Sequence, residues 1–192
     1  MKRKDDTKRT KMLDAAAEII LQEGAAAIST IKVAKAVGVA QSNVYLYFKN
    51  KNDLLLNTYQ RELSRIRSAG DTFQYFNDAA LPIEQRVESY VHSIYDYAIE
   101  HPDSLTLIEQ IKMLNLSEMD LFNTDTVVID LITEAIQQGY LKNLPVNLHM
   151  VTVFNIMHRH ALNLKENLYS KDQYSYKEIS QMVLDAIKAT KR

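Results

Sequence analysis

The chain has 192 residues, no cysteine and a net charge of −1. This length suits one domain, or a small domain joined to a larger one, and it is enough to bury a core without disulfides. The lack of cysteine excludes disulfide bridges, thiolate chemistry and cysteine-bound zinc. No apolar run approaches the roughly 18 residues of a membrane span, so we expect a soluble cytoplasmic protein with no membrane partner.

Helical periodicity runs along the whole chain, which has few glycines and prolines to interrupt it. The first predicted helix ends at Gly24 and carries an apolar face formed by Leu13, Ala16, Ala17, Ile20 and Leu21. Ser29 is placed to cap the second helix, because its hydroxyl can accept from free backbone N–H groups. A turn at Gly38 leads to a short third helix between Ala40 and Phe48.

Six longer helices are predicted after this region, at about residues 52–69, 81–100, 103–115, 124–138, 145–169 and 176–190. The fifth ends before Pro102, because a residue that precedes proline avoids the helical region. The seventh ends at Gly139. The sequence therefore predicts an all-α protein of about nine helices, with a helix-turn-helix DNA-binding domain over residues 1–51 and a larger helical domain over residues 52–192.

Residues 29–54 have the layout of a helix-turn-helix, whose second helix can enter the DNA major groove. Small Ala34 allows two helices to cross closely, and Gly38 gives the turn a backbone without Cβ strain. A miniature core is expected from Val33, Val37, Val39, Val44 and Phe48. Charge supports this interpretation, since residues 1–51 carry ten Lys/Arg and five Asp/Glu, whereas the remainder carries thirteen and nineteen.

The predicted DNA-facing residues of the third helix are Gln41, Ser42, Asn43 and Tyr45. Gln and Asn can pair bidentately with adenine, and Ser can bond several base edges. Tyr47 and Lys51 fit phosphate contacts, with Lys51 beside the positive end of the fourth helix. Tyr45 and Tyr47 cannot both point inward, because residues i and i+2 lie on different helix faces. A basic arm could also reach DNA through Lys2, Arg3, Lys4, Lys8, Arg9 and Lys11.

This segment resembles the TetR (tetracycline-repressor-like) family of bacterial transcription regulators. The family pattern is met by Ser29, Val33-Ala34, Gly38-Val39, Tyr45, Phe48, Lys51 and Leu54. Ala40 departs from it, because the family usually has a serine that caps the recognition helix. A missing cap costs about 1 kcal/mol, and Ser42 is a candidate cap one turn later. The resemblance implies a homodimer that binds a palindromic operator, represses transcription and is released by a small effector.

The resemblance also implies dimerisation through the last two helices. The eighth helix fits this role because it carries two apolar stripes. One stripe comprises Val146, Met150, Val153, Met157, Ala161, Leu164 and Leu168, and the other comprises Val151, Phe154, His158 and Leu162. Such a wide apolar arc has surface to bury on two sides. A dimer would hold two recognition helices about 34–36 Å apart, the spacing of successive major grooves. The alternative is that this helix is the central core helix of a monomer.

An effector pocket is expected in the C-terminal domain, where Met and Tyr suit an adaptable apolar cavity. The candidates are Tyr90, Ile94, Tyr97, Ile108, Met113, Met119, Phe122, Tyr140, Phe154, Met157 and His158, although each could instead be core packing. The five histidines are scattered, and no catalytic or phosphate-binding motif is present. We therefore expect no enzymatic activity, no cofactor and no metal. The alternative function is an effector-independent DNA-binding adaptor whose C-terminal domain binds a protein.

Overall fold

The computed structural model describes residues 6–69, 76, 78–114, 116 and 126–190. In these ranges the chain is helical, with a short 3₁₀ helix at Ala25–Ala27. The α-helices are α1 (Asp6–Glu23), α2 (Thr30–Val37), α3 (Gln41–Val44), α4 (Lys51–Ser68), α5 (Ile83–Glu100), α6 (Pro102–Lys112), α7 (Thr126–Gln137), α8 (Val146–Lys165) and α9 (Tyr176–Ile187). Over the same residues, β pairing is limited to an isolated antiparallel bridge between Leu141 and Lys188. The prediction of an all-α fold with an N-terminal helix-turn-helix is confirmed.

The chain forms two compact units. The head unit takes in Met1–Arg65 and Asp103–Met119, and the body unit takes in Ile66–Pro102 and Asp120–Arg192. The head unit therefore holds most of α4 and α6 in addition to the helix-turn-helix. The division into domains after residue 51 stays a prediction.

The core of the head unit is built from α1, α2 and the residues that follow them. α1 packs against both the 3₁₀ helix and α2, and α2 packs against α3. The fully buried side chains include Met12, Ile20, Ile28, Val33, Val44, Phe48, Leu54, Leu55 and Tyr59. The predicted miniature core is wrong in part, because Val37 and Val39 beside the turn are only half-buried. Leu21 is exposed, since the buried stripe of α1 runs through Met12, Ala16 and Ile19 and leaves Leu21 beyond its edge.

A buried carboxylate connects α4 to α6 within the head unit. Glu62 is fully buried, and its Oε2 accepts from Ser104 Oγ at 2.7 Å. The same carboxylate forms ion pairs with Arg61 at 2.8 Å and Arg65 at 3.1 Å. Arg61 also pairs with Asp14 of α1 at 2.7 Å. Buried charge is costly unless it is paired and hydrogen-bonded, so this network fixes α1, α4 and α6 in one arrangement.

The body unit is organised around α5, which packs against α7, α8 and α9. Its interior includes Val87, Val91, Leu131, Ile132, Val153, Met157 and Val183. Arg86 of α5 is buried and forms an ion pair with Glu134 of α7 at 2.7 Å. Over the described residues, none of the helices combines the length and the apolar character that a bilayer crossing demands.

α8 ends four residues earlier than predicted. Asn167 adopts a left-handed conformation with φ of 56°, and the Leu168 N–H donates to Asn163 O at 3.0 Å. A left-handed residue of this kind terminates a helix. Leu168, which was assigned to the apolar stripe of the eighth helix, therefore lies beyond α8 and is exposed.

We predict that Ser104→Ala lowers the free energy of unfolding by about 1.5–3 kcal/mol, because it removes a hydrogen bond to a buried charged group. Urea denaturation of the full chain measures this change. Ser89→Ala is the matched control, since Ser89 is a half-buried serine within α5, and it should stay within about 0.5 kcal/mol of the parent. Equal, small losses in the two variants would contradict a role for the Glu62 network.

Candidate nucleic-acid interface

The turn between α2 and α3 is fixed at both ends of α2. Ser29 Oγ accepts from the Lys32 N–H at 3.2 Å, which makes Ser29 the N-cap. At the other end Gly38 has φ of 73°, a left-handed conformation that strains any residue with a Cβ. The Val39 N–H then donates to Ala34 O at 2.9 Å, closing the turn. The predicted roles of Ser29 and Gly38 in the local structure are both present.

α3 is only four residues long. It begins at Gln41 after Ala40, which offers no side-chain hydrogen bond as a cap. Ser42 lies inside the helix, so the hypothesis that it supplies the missing cap is wrong. The predicted helix up to Phe48 is also wrong, because after Val44 the chain continues in turns, with the Tyr47 N–H bonded to Val44 O at 3.0 Å. Without a cap, little beyond tertiary burial stabilises this short helix.

Val44 and Phe48 are both fully buried and hold this segment onto the head unit. With these two side chains buried, neighbouring residues of the segment face outward. Ser42 and Asn43 are exposed, Tyr45 is 50% exposed, and Tyr47 is half-buried. The expectation that at least one of the two tyrosines is exposed is met, as the geometry of neighbouring positions requires.

Three polar side chains form a closed hydrogen-bonded set, here called the polar triangle. Gln41 Nε2 donates to Thr30 Oγ1 at 3.0 Å and to the Tyr45 hydroxyl at 3.2 Å. Thr30 Oγ1 donates to the Tyr45 hydroxyl at 3.3 Å. Two predicted DNA-facing residues, Gln41 and Tyr45, are thereby joined to the first residue of α2. Thr30 was missed by the sequence reasoning, although it directly follows the Ser29 cap and so opens α2.

Lys51 is positioned by the backbone of the head unit. Its Nζ donates to Ala26 O at 2.6 Å, which connects the start of α4 to the 3₁₀ helix. The first turn of α4 is capped by Asn50, whose Oδ1 accepts from the Asp53 N–H at 2.9 Å. An ammonium group has three donors, so Lys51 keeps donors for a phosphate while it holds this bond.

The basic arm is described only in part. Lys8, Arg9 and Lys11 are exposed on α1. Arg9 donates to Asn57 Oδ1 at 2.5 Å, and its guanidinium lies 5.9 Å from the centre of the Phe48 ring. Lys2, Arg3 and Lys4 lie outside the described residues. The sequence reasoning also missed Leu46, which is 62% exposed next to Tyr45, because an apolar residue in such a motif is first assigned to the core.

Comparison with known proteins identifies the family to which this helical architecture belongs. Residues 12–58 match the family model of bacterial regulatory proteins of the tetR family. A solved structure of a candidate transcription regulator from Lactobacillus plantarum is 46% identical, with a TM-score of 0.84, over 95% of this chain and 99% of that one. The chain belongs to the TetR family of transcriptional regulators.

Two further relatives delimit the similarity. A TetR-family regulator from Haemophilus influenzae is 21% identical over 97% of this chain and all of that one, with a TM-score of 0.71, which shows the shared fold. The fatty acid metabolism regulator protein of Bacillus subtilis is 38% identical over 58 residues, which is 30% of each chain. The part of the chain that matches this curated relative is therefore less than a third of that relative's length. In this TetR-family protein, the helix-turn-helix described above is the DNA-binding element.

The residues predicted to line an effector pocket are dispersed over the structure. Tyr90, Ile94, Tyr97, Met157 and His158 are buried in the body unit, on α5 and α8. Phe154 and Tyr140 are half-buried in the same unit. Ile108 is buried in the head unit.

Two further predictions on the pocket have different outcomes. Met113, just past the end of α6, is 80% exposed and does not share the interior position of the other candidates. Phe122 and Met119 lie outside the described residues. The assignment of the remaining residues to a pocket stays a prediction.

A buried histidine that the sequence reasoning did not select lies in the body unit. The His160 ring is nearly parallel to the rings of Tyr95 and Tyr169, at centroid distances of 5.7 and 5.5 Å. Its Nδ1 is 3.0 Å from the Tyr169 hydroxyl, which also accepts from Asn163. Its Nε2 is buried and has no hydrogen-bond partner among the described residues. Burial, followed by the nearby charge of Lys171, lowers the pKa of His160 and favours its neutral form.

We predict that Ser29→Ala lowers the free energy of unfolding by about 1 kcal/mol, because it removes the cap of α2. Ser29→Asn should retain most of the stability, since Asn is an equally good cap. Thermal or urea unfolding of the full-length variants measures both changes. If Ser29→Ala were as stable as the parent, the side chain would have no capping role and would be available only for contacts outside the protein.

Proposed function

We propose that this TetR-family protein is a ligand-responsive repressor that binds a palindromic operator as a homodimer and is released by a small molecule. Residues 1–51 act as the DNA-binding domain and residues 52–192 as the effector-binding and dimerisation domain. The observation that carries the proposal is the exposed polar edge of α3, held outward by the burial of Val44 and Phe48. Repression rather than activation follows from the family resemblance.

The proposed base contacts come from Gln41, Ser42 and Asn43, whose amide and hydroxyl groups can bond base edges in the major groove. Tyr45 is the exposed tyrosine beside them. The proposed phosphate contacts come from Ser29, Tyr47 and Lys51, which flank α3 along the chain. Such contacts orient a protein on the duplex without specifying sequence.

The proposed dimer interface lies on α8 and α9. Val153 and Met157 are fully buried within one protomer, so a second copy cannot be needed to cover them. The neighbouring stripe of α8 is only partly covered, with Val151, Phe154 and Leu162 half-buried. Met182 of α9 is 52% exposed. Apolar surface of this kind on the last two helices supports a four-helix interface with two-fold symmetry.

The proposed effector site lies in the body unit among Tyr90, Ile94, Tyr97, Phe154, Met157 and His158. Nearby on the chain, the buried Nε2 of His160 has no hydrogen-bond partner among the described residues. The Tyr169 hydroxyl can donate to His160 Nδ1 or accept from it, because a phenol oxygen has two lone pairs and Asn163 uses one of them. A buried polar group without a partner costs about 1–3 kcal/mol. An effector with a polar atom that complements Nε2 would remove this cost and favour the body conformation that binds it.

The DNA-binding and dimer proposals are tested together by selection from random duplex DNA with the full-length protein. We expect an inverted repeat, with an affinity that falls as salt is raised. Met182→Glu should give a monomer in light scattering and lower affinity for the selected site at least about tenfold, because one protomer then contacts one half-site.

Leu144→Glu is the matched control, since Leu144 is an exposed leucine of the body unit outside α8 and α9. It should remain dimeric and bind the selected site as the parent does. A Met182→Glu protein that stays dimeric would place the interface elsewhere, and selection of no sequence over bulk DNA would remove the operator proposal.

The effector proposal is tested by native mass spectrometry of the purified protein, followed by addition of the extracted molecule to the operator complex. We expect release of DNA, and Tyr97→Phe should raise the half-release concentration about three- to tenfold through loss of one hydrogen bond. Tyr174→Phe is the control, because Tyr174 is exposed between α8 and α9. A body unit that holds no small molecule and instead binds a protein would favour the adaptor alternative.

A further inference from the structure

The polar triangle restricts what Gln41 can offer to a DNA base. Its three members are linked by contacts of 3.0, 3.2 and 3.3 Å, with Thr30 only 7% exposed and Tyr45 half-exposed. Gln41 is the first residue of α3 and Thr30 is the first residue of α2. The triangle therefore joins the two helices of the helix-turn-helix at their N-terminal ends.

Counting protons determines the orientation of the amide group. When the amide nitrogen donates to both hydroxyl oxygens, Thr30 can donate to Tyr45, and all three contacts are hydrogen bonds. In the reversed orientation, both hydroxyls must donate to the amide oxygen, and the contact between Thr30 and Tyr45 has no proton left. The orientation with a donating amide therefore satisfies more hydrogen bonds. It leaves two groups for an outside partner, namely the Gln41 carbonyl oxygen and the Tyr45 hydroxyl proton.

We propose that Gln41 reads DNA through its carbonyl oxygen alone, and that Thr30 is the positioning residue that enforces this mode. The inference rests on the proposed function, in which α3 contacts base edges. A free glutamine pairs bidentately with adenine through N6 and N7. A glutamine whose amide nitrogen is occupied accepts only from an exocyclic amino group, which adenine N6 and cytosine N4 both supply. One position of each half-site therefore accepts adenine or cytosine and rejects guanine and thymine.

The triangle also orders Gln41 before DNA arrives. A glutamine side chain has several rotatable bonds, and fixing it on binding costs conformational entropy. Because Thr30 and Tyr45 hold the amide in the free protein, little of that cost remains for the complex. Tyr45 accepts two hydrogen bonds in this arrangement, so its hydroxyl proton points to an acceptor outside the triangle, such as a phosphate oxygen or a base.

The experiment uses the full-length protein and the operator obtained by random selection. The position read by Gln41 is first located as the one where Gln41→Ala loses base preference. Adenine at that position is then replaced by 7-deazaadenine, which lacks N7, or by unsubstituted purine, which lacks the N6 amino group. We expect 7-deazaadenine to bind within about twofold of adenine and purine to bind about three- to tenfold more weakly.

Thr30→Val tests the positioning role, because it keeps the side-chain shape and removes the hydroxyl. Once the amide is released, the 7-deaza substitution should become costly by a similar factor, and cytosine should lose affinity relative to adenine. Thr58→Val is the matched control: Thr58 is a buried threonine of α4 whose hydroxyl donates to Leu54 O at 2.9 Å. It should leave both ratios unchanged. Circular dichroism melts of the two variants show that the measurements are made on folded protein.

Three outcomes would overturn the inference. A parent protein that loses affinity with 7-deazaadenine at the Gln41 position reads N7 and uses both amide groups. A Thr30→Val protein with the parent's base preferences shows that the hydroxyl does not direct the amide. If an operator is selected but Gln41→Ala changes preference at no position, the inference fails while the proposed function stands. If no operator is selected at all, the proposed function itself fails.

Discussion

Burial of Val44 and Phe48 supports the whole DNA-facing surface, because a helix of four residues is not stable without tertiary contacts. Helix nucleation is unfavourable in isolation, and Ala40 supplies no side-chain cap. α3 therefore exists because these two side chains are fully enclosed in the head unit. Asn43 and Tyr45, the neighbours of Val44, are exposed as a consequence. Their outward direction is set by packing on the opposite side of the chain.

Polar interactions then fix the geometry of the helices and side chains that packing has brought together. The cap at Ser29 and the left-handed Gly38 fix where α2 begins and ends, and the polar triangle joins Thr30 to α3. These contacts hold side chains in one geometry before any ligand binds, which lowers the ordering cost of recognition. The Glu62 network has the same effect inside the head unit. A buried carboxylate is destabilising unless it keeps its ion pairs and hydrogen bonds, so few other arrangements of these side chains are possible.

The body unit separates structural and surface roles along α8. Val153 and Met157 are enclosed within the protomer, whereas Val151, Phe154 and Leu162 remain partly open. In the first stripe of the sequence Val153, Met157 and Ala161 are buried and the other members are not, and in the second stripe His158 is buried. His160 adds a buried nitrogen without a partner among the described residues, at a position of α8 that the sequence pattern did not select.

The helical fold and the position of the helix-turn-helix can both be predicted from the order of the amino acids. Helical period, the Ser29 cap and the glycine at the turn are local signals, and local signals can be read from neighbouring residues. The family pattern from Ser29 to Leu54 was equally local. Two predicted helix ends, at Phe48 and near Leu168, were wrong. At both places the chain turns instead of continuing the helix, and local hydrophobic periodicity does not distinguish these two outcomes.

The pairing of polar groups, in contrast, depends on how the helices pack in the folded protein. Thr30 and Gln41 are eleven positions apart, and Glu62 and Ser104 are 42 apart. Nothing in the spacing of such residues encodes their contact, because the distance between them is set by how whole helices pack. The hydroxyl of Thr30 gains its role from that packing, and so does the buried charge of Glu62.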